Sequence, residues 1–251
     1  MNQQAWNGAI WSGVFSAFQE ITGLKESLEG PVWLAEQIDQ AERALEKIKT
    51  KDVISKLAET SDYVLPAIAA ALMSHRDEPL RILDFGGGLA SSYLPMRAML
   101  SDDLRMNFAI VENKEICEAG RNLFASDPQV TFLAEMPKGV RFDIVHAGSS
   151  MHYVDDWIGL LGNFAELQPD ILIFADLPAG DIDTFVTSQN YYGRKIPVRF
   201  WNIAEFIQNV EKTGYKLQLK SRYRTNYLDA MKFFDESYRL NYFAQLIFKR
   251  R

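Results

Sequence analysis

The stretch Arg81-Ile-Leu-Asp-Phe-Gly-Gly-Gly-Leu-Ala90 joins a short apolar run, an acid near its end and three consecutive glycines. An apolar run of this length fits a strand at the centre of a parallel sheet, covered on both faces. The glycines let the backbone turn sharply and admit a ligand where a Cβ would collide. A helix expected over Ser91–Leu100 then aims its N-terminal amides at the same place. Those amides suit a carboxylate as well as they suit a phosphate.

The spacing narrows the ligand. A dinucleotide turn needs G-x-G-x-x-G, and counted from Gly86 and Gly88 its third glycine falls on Ser91. No G-K-[ST] follows, so a phosphate-binding P-loop is excluded. What stands there is Asp84-x-Gly86-x-Gly88-x-Ala90, with Gly87 inside the turn. This is the D-x-G-x-G-x-G pattern of S-adenosylmethionine (SAM) binding, with alanine in the last position. SAM carries an ammonium and a sulfonium, so a nearby carboxylate attracts it, whereas a pyrophosphate would be repelled. Phe108-Ala-Ile-Val-Glu112 is a second strand ending in an acid, 28 residues after Asp84. A carboxylate there can accept both ribose hydroxyls, although a nicotinamide cofactor would use it equally and a merely solvated acid is the alternative. Glu135 follows the third strand, where an acid often meets the adenine amino group; a surface acid fits as well.

Around this centre the pattern alternates. Apolar runs at Leu80–Asp84, Asn107–Glu112, Val130–Leu133, Asp143–Ala147 and Ile171–Ala175 are separated by helical stretches at Ser91–Leu100, Lys114–Ala125 and Asp155–Leu167. That alternation predicts a parallel sheet. A helix over Ile203–Thr213 stops at Gly214, and Tyr215–Ser221 and Phe243–Phe248 alternate like half-exposed strands. Arg222–Tyr242 is too long for a tight turn, and a helix is expected near Leu228–Tyr238. The fold expected is α/β: a Rossmann-like class I methyltransferase with a mostly parallel seven-stranded sheet, an antiparallel C-terminal strand pair and an N-terminal helical cap. We divide the chain into a cap, residues 1–78, and a SAM-binding domain, residues 79–251. In the cap, Leu34, Ile38, Ala41, Leu45 and Ile48 mark one helix face. A second helix is expected over Ser61–Ser74, with Val64, Leu65, Ile68, Leu72 and Met73 inward and Pro66 near its start. Trp11 and Phe15 belong to an aromatic opening that either lids the site or packs the cap on the core.

Bulk properties set outer limits. The 251 residues are 47% hydrophobic and 24% charged, enough to bury a full core without a metal or disulfide staple. A net charge of -6 speaks against nucleic-acid binding. The single Cys117 fits a reducing cytoplasm and reads as an inert half-buried thiol. No signal peptide pattern and no apolar run of roughly 18 residues appears, so a cytoplasmic protein with at most peripheral membrane contact is expected. No zinc-type spacing links His146, His152 and Asp155-Asp156, and no metal is expected.

Taken together, these residues resemble a family of SAM methyltransferases whose members often sit among genes for bacterial surface polysaccharide, such as lipopolysaccharide. The shared features are Trp11-Ser-Gly-Val-Phe15, Asp84-Phe-Gly-Gly-Gly88 followed by Ser91-Ser-Tyr93, Val111-Glu112, Ser149-Ser150 with Tyr153, Gln189, and Gly214-Tyr215. The resemblance covers nearly the whole chain and implies that Tyr93 and Ser149 join the cofactor site. It also implies O-methylation of a small molecule or of a surface-polysaccharide sugar, with Tyr153 and Gln189 toward the acceptor. Ala90 departs from the family's last glycine, and His152 stands where a different polar residue is expected, so its role is not carried over.

Methyl transfer is an in-line displacement in which the cofactor supplies the reactivity and the protein aligns the partners. A base is needed only if the nucleophile must lose a proton. His152, past the fourth strand in Gly148-Ser-Ser-Met-His-Tyr153, is the candidate base, because the crevice of a parallel sheet opens at its carboxyl ends. A packing histidine is the plain alternative. His146, inside the strand, reads as buried and hydrogen-bonded, and His75 as solvated. Asp176 closes the fifth strand as a second candidate for base or hydrogen-bond acceptor; a cap is the alternative. The stretch Thr187-Ser-Gln189-Asn-Tyr191-Tyr192-Gly-Arg194 reads as a polar, aromatic loop in which Gln189, Tyr192 and Arg194 would hold a sugar-like acceptor. Two other readings stay open: a non-catalytic partner protein of the same fold in a biosynthetic complex, and a nicotinamide oxidoreductase.

Overall fold

The structure, a computed structural model, describes residues 10–21, 30–49, 64–73, 78–191 and 194–251. The described chain opens on a short strand, β1 (Trp11–Phe15), and two helices, α1 (Pro31–Lys49) and α2 (Val64–Leu72). The alternation then runs β2 (Leu80–Phe85), α3 (Tyr93–Met99), β3 (Met106–Val111), α4 (Lys114–Leu123), β4 (Val130–Leu133), β5 (Ile144–Gly148), α5 (Trp157–Glu166) and β6 (Ile171–Leu177). After it come β7 (Ala179–Gly180), β8 (Phe185–Tyr191), β9 (Arg194–Asn202), α6 (Ile203–Lys212), β10 (Tyr215–Tyr223) and β11 (Phe243–Arg250).

Seven strands form one sheet in the order β10-β11-β6-β5-β2-β3-β4. All pairs from β6 to β4 are parallel, and β11 runs antiparallel to both β6 and β10. β2 lies near the centre, and its side chains alternate between two cores. Leu83 packs with Val145, Leu172 and Phe174 on one face. Ile82 packs with Phe108, Ile110 and Ile144 on the other. Both are fully buried, which is why the strand reads as a continuous apolar run.

The N-terminal part keeps its two expected helices and adds a strand to them. β1, β8, β9 and β7 form a second, four-stranded sheet, in which β8 and β9 are an antiparallel hairpin and β1 pairs antiparallel with β8. The stretch read as a substrate loop is therefore mostly strand. Its polarity hid this, because Thr187, Ser188 and Gln189 are all buried without an apolar alternation. Hydrogen bonds offset the burial: Thr187 Oγ1 donates to the Gly13 carbonyl at 2.8 Å, and Gln189 Oε1 accepts from the Tyr153 hydroxyl at 2.9 Å.

α1 turns Leu34, Ile38, Ala41 and Leu45 toward the core, as its periodicity predicts. α2 follows the expected face in part: Leu65 and Met73 pack against the core as expected. Ile68 and Leu72 are exposed, and the small Ala67, Ala69 and Ala70 pack inward instead, which lets this helix approach closely. The helix expected near Leu228–Tyr238 is replaced by two 3-10 segments, Asn226–Phe233 and Glu236–Tyr238. His75 lies outside the described residues. Among the described residues no helix is long and apolar enough to cross a membrane. Cys117 is buried in α4, and burial pushes its thiol pKa up, which disfavours the reactive thiolate.

Candidate active site

The glycine turn leaves β2 in an unusual conformation. Gly86, Gly88 and Ala90 have φ values of 69°, 56° and 65°. A Cβ on Gly86 would lie 2.5 Å from the Ser150 Cβ, and one on Gly87 would run into the Asp84 carboxylate. Ala90 is held in the left-handed region where a side chain costs roughly 1–2 kcal/mol, which is the physical reason for a glycine preference there.

Asp84 is almost fully buried. Its Oδ1 lies 2.7 Å from His146 Nδ1, on the adjoining β5 where the register sets the two side by side. Its Oδ2 accepts from the Ser92 hydroxyl just before α3. Asp84 thus clamps β2, β5 and the exit of the turn, while its carboxylate still lines the cavity. Glu112, past β3, reaches back to the turn: Oε1 accepts the Gly88 N–H at 2.9 Å and Oε2 the Asn113 N–H at 3.2 Å. Asn113 caps α4 by accepting the Ile116 N–H at 2.9 Å, and its own buried Nδ2 has no hydrogen-bond partner among the described residues.

These groups line a cavity of about 610 Å³. Gly86, Gly87 and Gly88 form its edge, with Glu135 between Ala134 and Met136 beyond β4. Ser149, His152, Tyr153, Asp176 and Gln189 line the same cavity, together with Trp11, Val198, Tyr227 and Phe243. Ser149 and Asp176, at the carboxyl ends of β5 and β6, have φ values of 53° and 50° and are joined by a hydrogen bond from the Ser149 hydroxyl to Asp176 Oδ2. Two strained non-glycine residues facing one crevice are the kind of outlier that marks a functional site.

No protein-family profile and no curated protein matches the sequence. Solved structures match by shape. The 1,6-didemethyltoxoflavin-N1-methyltransferase of Burkholderia thailandensis, solved with 1,6-didemethyltoxoflavin and S-adenosylhomocysteine bound, has a TM-score of 0.51 at 15% identity, over 92% of this chain and 94% of that one. The CcbJ methyltransferase of Streptomyces caelestis has a TM-score of 0.50 at 18% identity, over 74% of this chain and 88% of that one. A SAM-dependent methyltransferase of Mesorhizobium loti has 0.50 at 14% identity, over 77% and 100%. The fold is that of the SAM-dependent methyltransferases.

Within this methyltransferase fold the structure gathers Asp84, Gly86, Gly87, Gly88, Glu112, Glu135, Ser149, His152, Tyr153, Asp176 and Gln189 around one cavity. Two expected cofactor residues fall outside its lining. The Ala90 side chain is buried in the core behind the turn. Tyr93 sits with its ring 5.2 Å from that of Phe108 and its hydroxyl donating to Asp127 Oδ2 at 2.6 Å. Its position in the first turn of α3 points it at the helix–sheet core, and burial raises its pKa. Tyr93→Phe is expected to cost about 1.5–3 kcal/mol of stability, the range for a hydrogen bond to a charged group, and to leave SAM affinity unchanged by calorimetry. Tyr192 lies outside the described residues, and so does the side chain of Arg194, whose backbone opens β9. The sequence reading missed Asn113, and Trp33 and Gln37 of α1, which also line the cavity. Only Asn113 left a signal, as a helix cap directly after the strand-end acid. Among the described residues no group of three metal-ligating side chains occurs.

His152 is buried, and desolvation pushes its pKa down to about 3 from the ordinary 6.5. Among the described residues its Nδ1 has no hydrogen-bond partner. It is therefore neutral at physiological pH and a weak proton acceptor. Between pH 6.5 and 3 the unfolded chain binds the extra proton, so stability is full above 6.5 and falls as pH drops, by about 1.4 kcal/mol per pH unit. Urea unfolding at pH 7 and pH 5 should show a His152-dependent loss of about 2 kcal/mol that His152→Asn removes.

Proposed function

We propose that the chain is a SAM-dependent methyltransferase, acting on an oxygen of a small molecule or of a surface-polysaccharide sugar in the cytoplasm. The observation that carries this is the tie between Glu112 and the glycine turn. One carboxylate accepts the Gly88 N–H at 2.9 Å and stands just past the end of β3, where in this reading a ribose would lie. In this reading Gly86, Gly87, Gly88 and the buried Asp84 seat the methionyl part. Glu112 and the unpartnered Asn113 amide take the ribose, and Glu135 borders the adenine.

When bound, SAM supplies the activated methyl group. The protein's own part is to align the acceptor and exclude water. Asp176, steadied by Ser149, is the better candidate for receiving a proton, because burial makes His152 a weak base. Tyr153 and Gln189 form a hydrogen-bonded wall for the acceptor. Residues 1–78 and 79–251 keep distinct tasks: the first part brings Trp11, Trp33 and Gln37 to the cavity, the second brings the remainder of its lining. A second reading, a non-catalytic partner of the same fold, is favoured by Ala90 and by the weakness of His152 as a base. Incubation with SAM and an acceptor panel, read by formation of S-adenosylhomocysteine (SAH), separates the two. Acceptor-dependent SAH supports the enzyme; SAM binding without turnover on any acceptor supports the partner.

A further inference from the structure

The cavity as a whole has a marked chemical bias. Asp84, Glu112, Glu135 and Asp176 bring four carboxylates to the cavity, and among the described residues no lysine or arginine lines it. The sulfonium of SAM offsets only one of those charges. His152 adds none, since burial keeps it neutral at physiological pH. An anion entering this space would lose its hydration and meet fields of its own sign.

The walls point the same way. Trp11 comes from β1, and its register partner on β8 is Gln189, whose Oε1 accepts from Tyr153. Tyr153 in turn has its ring 4.1 Å from that of His152. This chain of contacts sets the indole and the imidazole on one wall. Trp11 packs edge-on against Tyr227 at 5.9 Å, and Phe243 completes an aromatic surface. Behind it lie two buried polar atoms with no hydrogen-bond partner among the described residues, Trp11 Nε1 and His152 Nδ1, on side chains only 4% and 6% exposed. Buried polar atoms left unmatched call for a ligand that matches them. Ring faces with few polar points suit the CH face of a sugar or an aromatic ring.

We propose that this subsite takes an uncharged, ring-bearing alcohol, a glycoside or a phenol, and rejects phosphorylated and nucleotide-linked sugars. The proposal rests on the methyltransferase reading and names its acceptor class. A surface-polysaccharide sugar would then be methylated after it has left its nucleotide carrier, or as a free glycoside.

The test uses the full chain saturated with SAH, whose binding is first measured by calorimetry. Aryl glycosides of common hexoses and deoxyhexoses form one arm and substituted phenols a second. The matching sugar 1-phosphates and UDP-sugars form a third, all read by saturation-transfer NMR and titration. At least one neutral compound is expected to bind, at least tenfold tighter than any phosphorylated counterpart, and the arm it belongs to tells glycoside from phenol. Trp11→Phe, which keeps a ring and drops the N–H, should weaken that compound at least fivefold and leave SAH affinity unchanged. Binding by no neutral compound, or equal binding by the phosphorylated ones, overturns the proposal. Absence of SAH binding removes the methyltransferase reading itself and the proposal with it.

Discussion

Gly86→Ala is expected to weaken SAM binding by at least thirtyfold. The residue sits at φ 69°, and an added Cβ would lie 2.5 Å from the Ser150 Cβ. The left-handed conformation costs a side chain roughly 1–2 kcal/mol, and an overpacked contact a further 1–3 kcal/mol. Ser150 cannot easily give way. Its hydroxyl donates to the Phe85 carbonyl at 2.7 Å, and it stands between β5 and the 3-10 turn that carries His152. Relief must come from the turn itself, which moves the Gly87 and Gly88 amides and breaks the 2.9 Å contact with Glu112. About 2–5 kcal/mol spent on rearranging the turn corresponds to roughly 30-fold or more in affinity. Calorimetric titration with SAM checks this. Unchanged affinity would mean that the turn does not touch the cofactor.

Asp84→Ala should reduce stability before it reduces chemistry. The substitution removes the hydrogen bonds that join the Asp84 carboxylate to His146 and to Ser92 in a site almost fully shielded from water. Hydrogen bonds to a charged group contribute about 1.5–3 kcal/mol each, and buried polar atoms left without a partner add to the loss. A total near 3–5 kcal/mol lowers the melting temperature of a chain this long by roughly 10 °C. Asp84→Asn keeps the shape and part of the hydrogen bonding, so it should retain more of the stability than alanine does. Thermal unfolding of the three proteins decides the matter. If the alanine variant melts with the native protein, the carboxylate is not the clamp described.

The frame of the fold was written plainly in the residues. β2 through β6 lie where short apolar runs predict them, because central parallel strands are buried on both faces and cannot hide among polar residues. Val130–Leu133 matches residue for residue, and the other strand ends differ by a few positions. Asp84 and the glycines were legible for the same reason: a backbone that must turn left-handed leaves glycine in the sequence. The second sheet was not legible. β1 pairs with β8, with Trp11 opposite Gln189 far along the chain, and no local pattern announces such a partner. Thr187, Ser188 and Gln189 are polar although buried, since hydrogen bonds to Gly13 and Tyr153 replace apolar packing for two of them. Tyr93 shows the opposite failure. A motif position suggested a cofactor contact, but the side chain of a first-turn helical residue points back to the core, where Phe108 and Asp127 hold it. His152 was placed correctly at the crevice by chain order. Its burial, which makes it a weak base, comes from the folded surroundings of the 3-10 turn that carries it, and that is not local information.

Glu112 joins the glycine turn to the place where a ribose would lie. Calorimetry with SAM on the native chain and on Glu112→Ala addresses it most directly. We predict saturable binding at one site by the native protein and an affinity lower by at least tenfold in the variant, with the folded state retained by circular dichroism. No binding by the native protein, or equal binding by a folded Glu112→Ala, would contradict it.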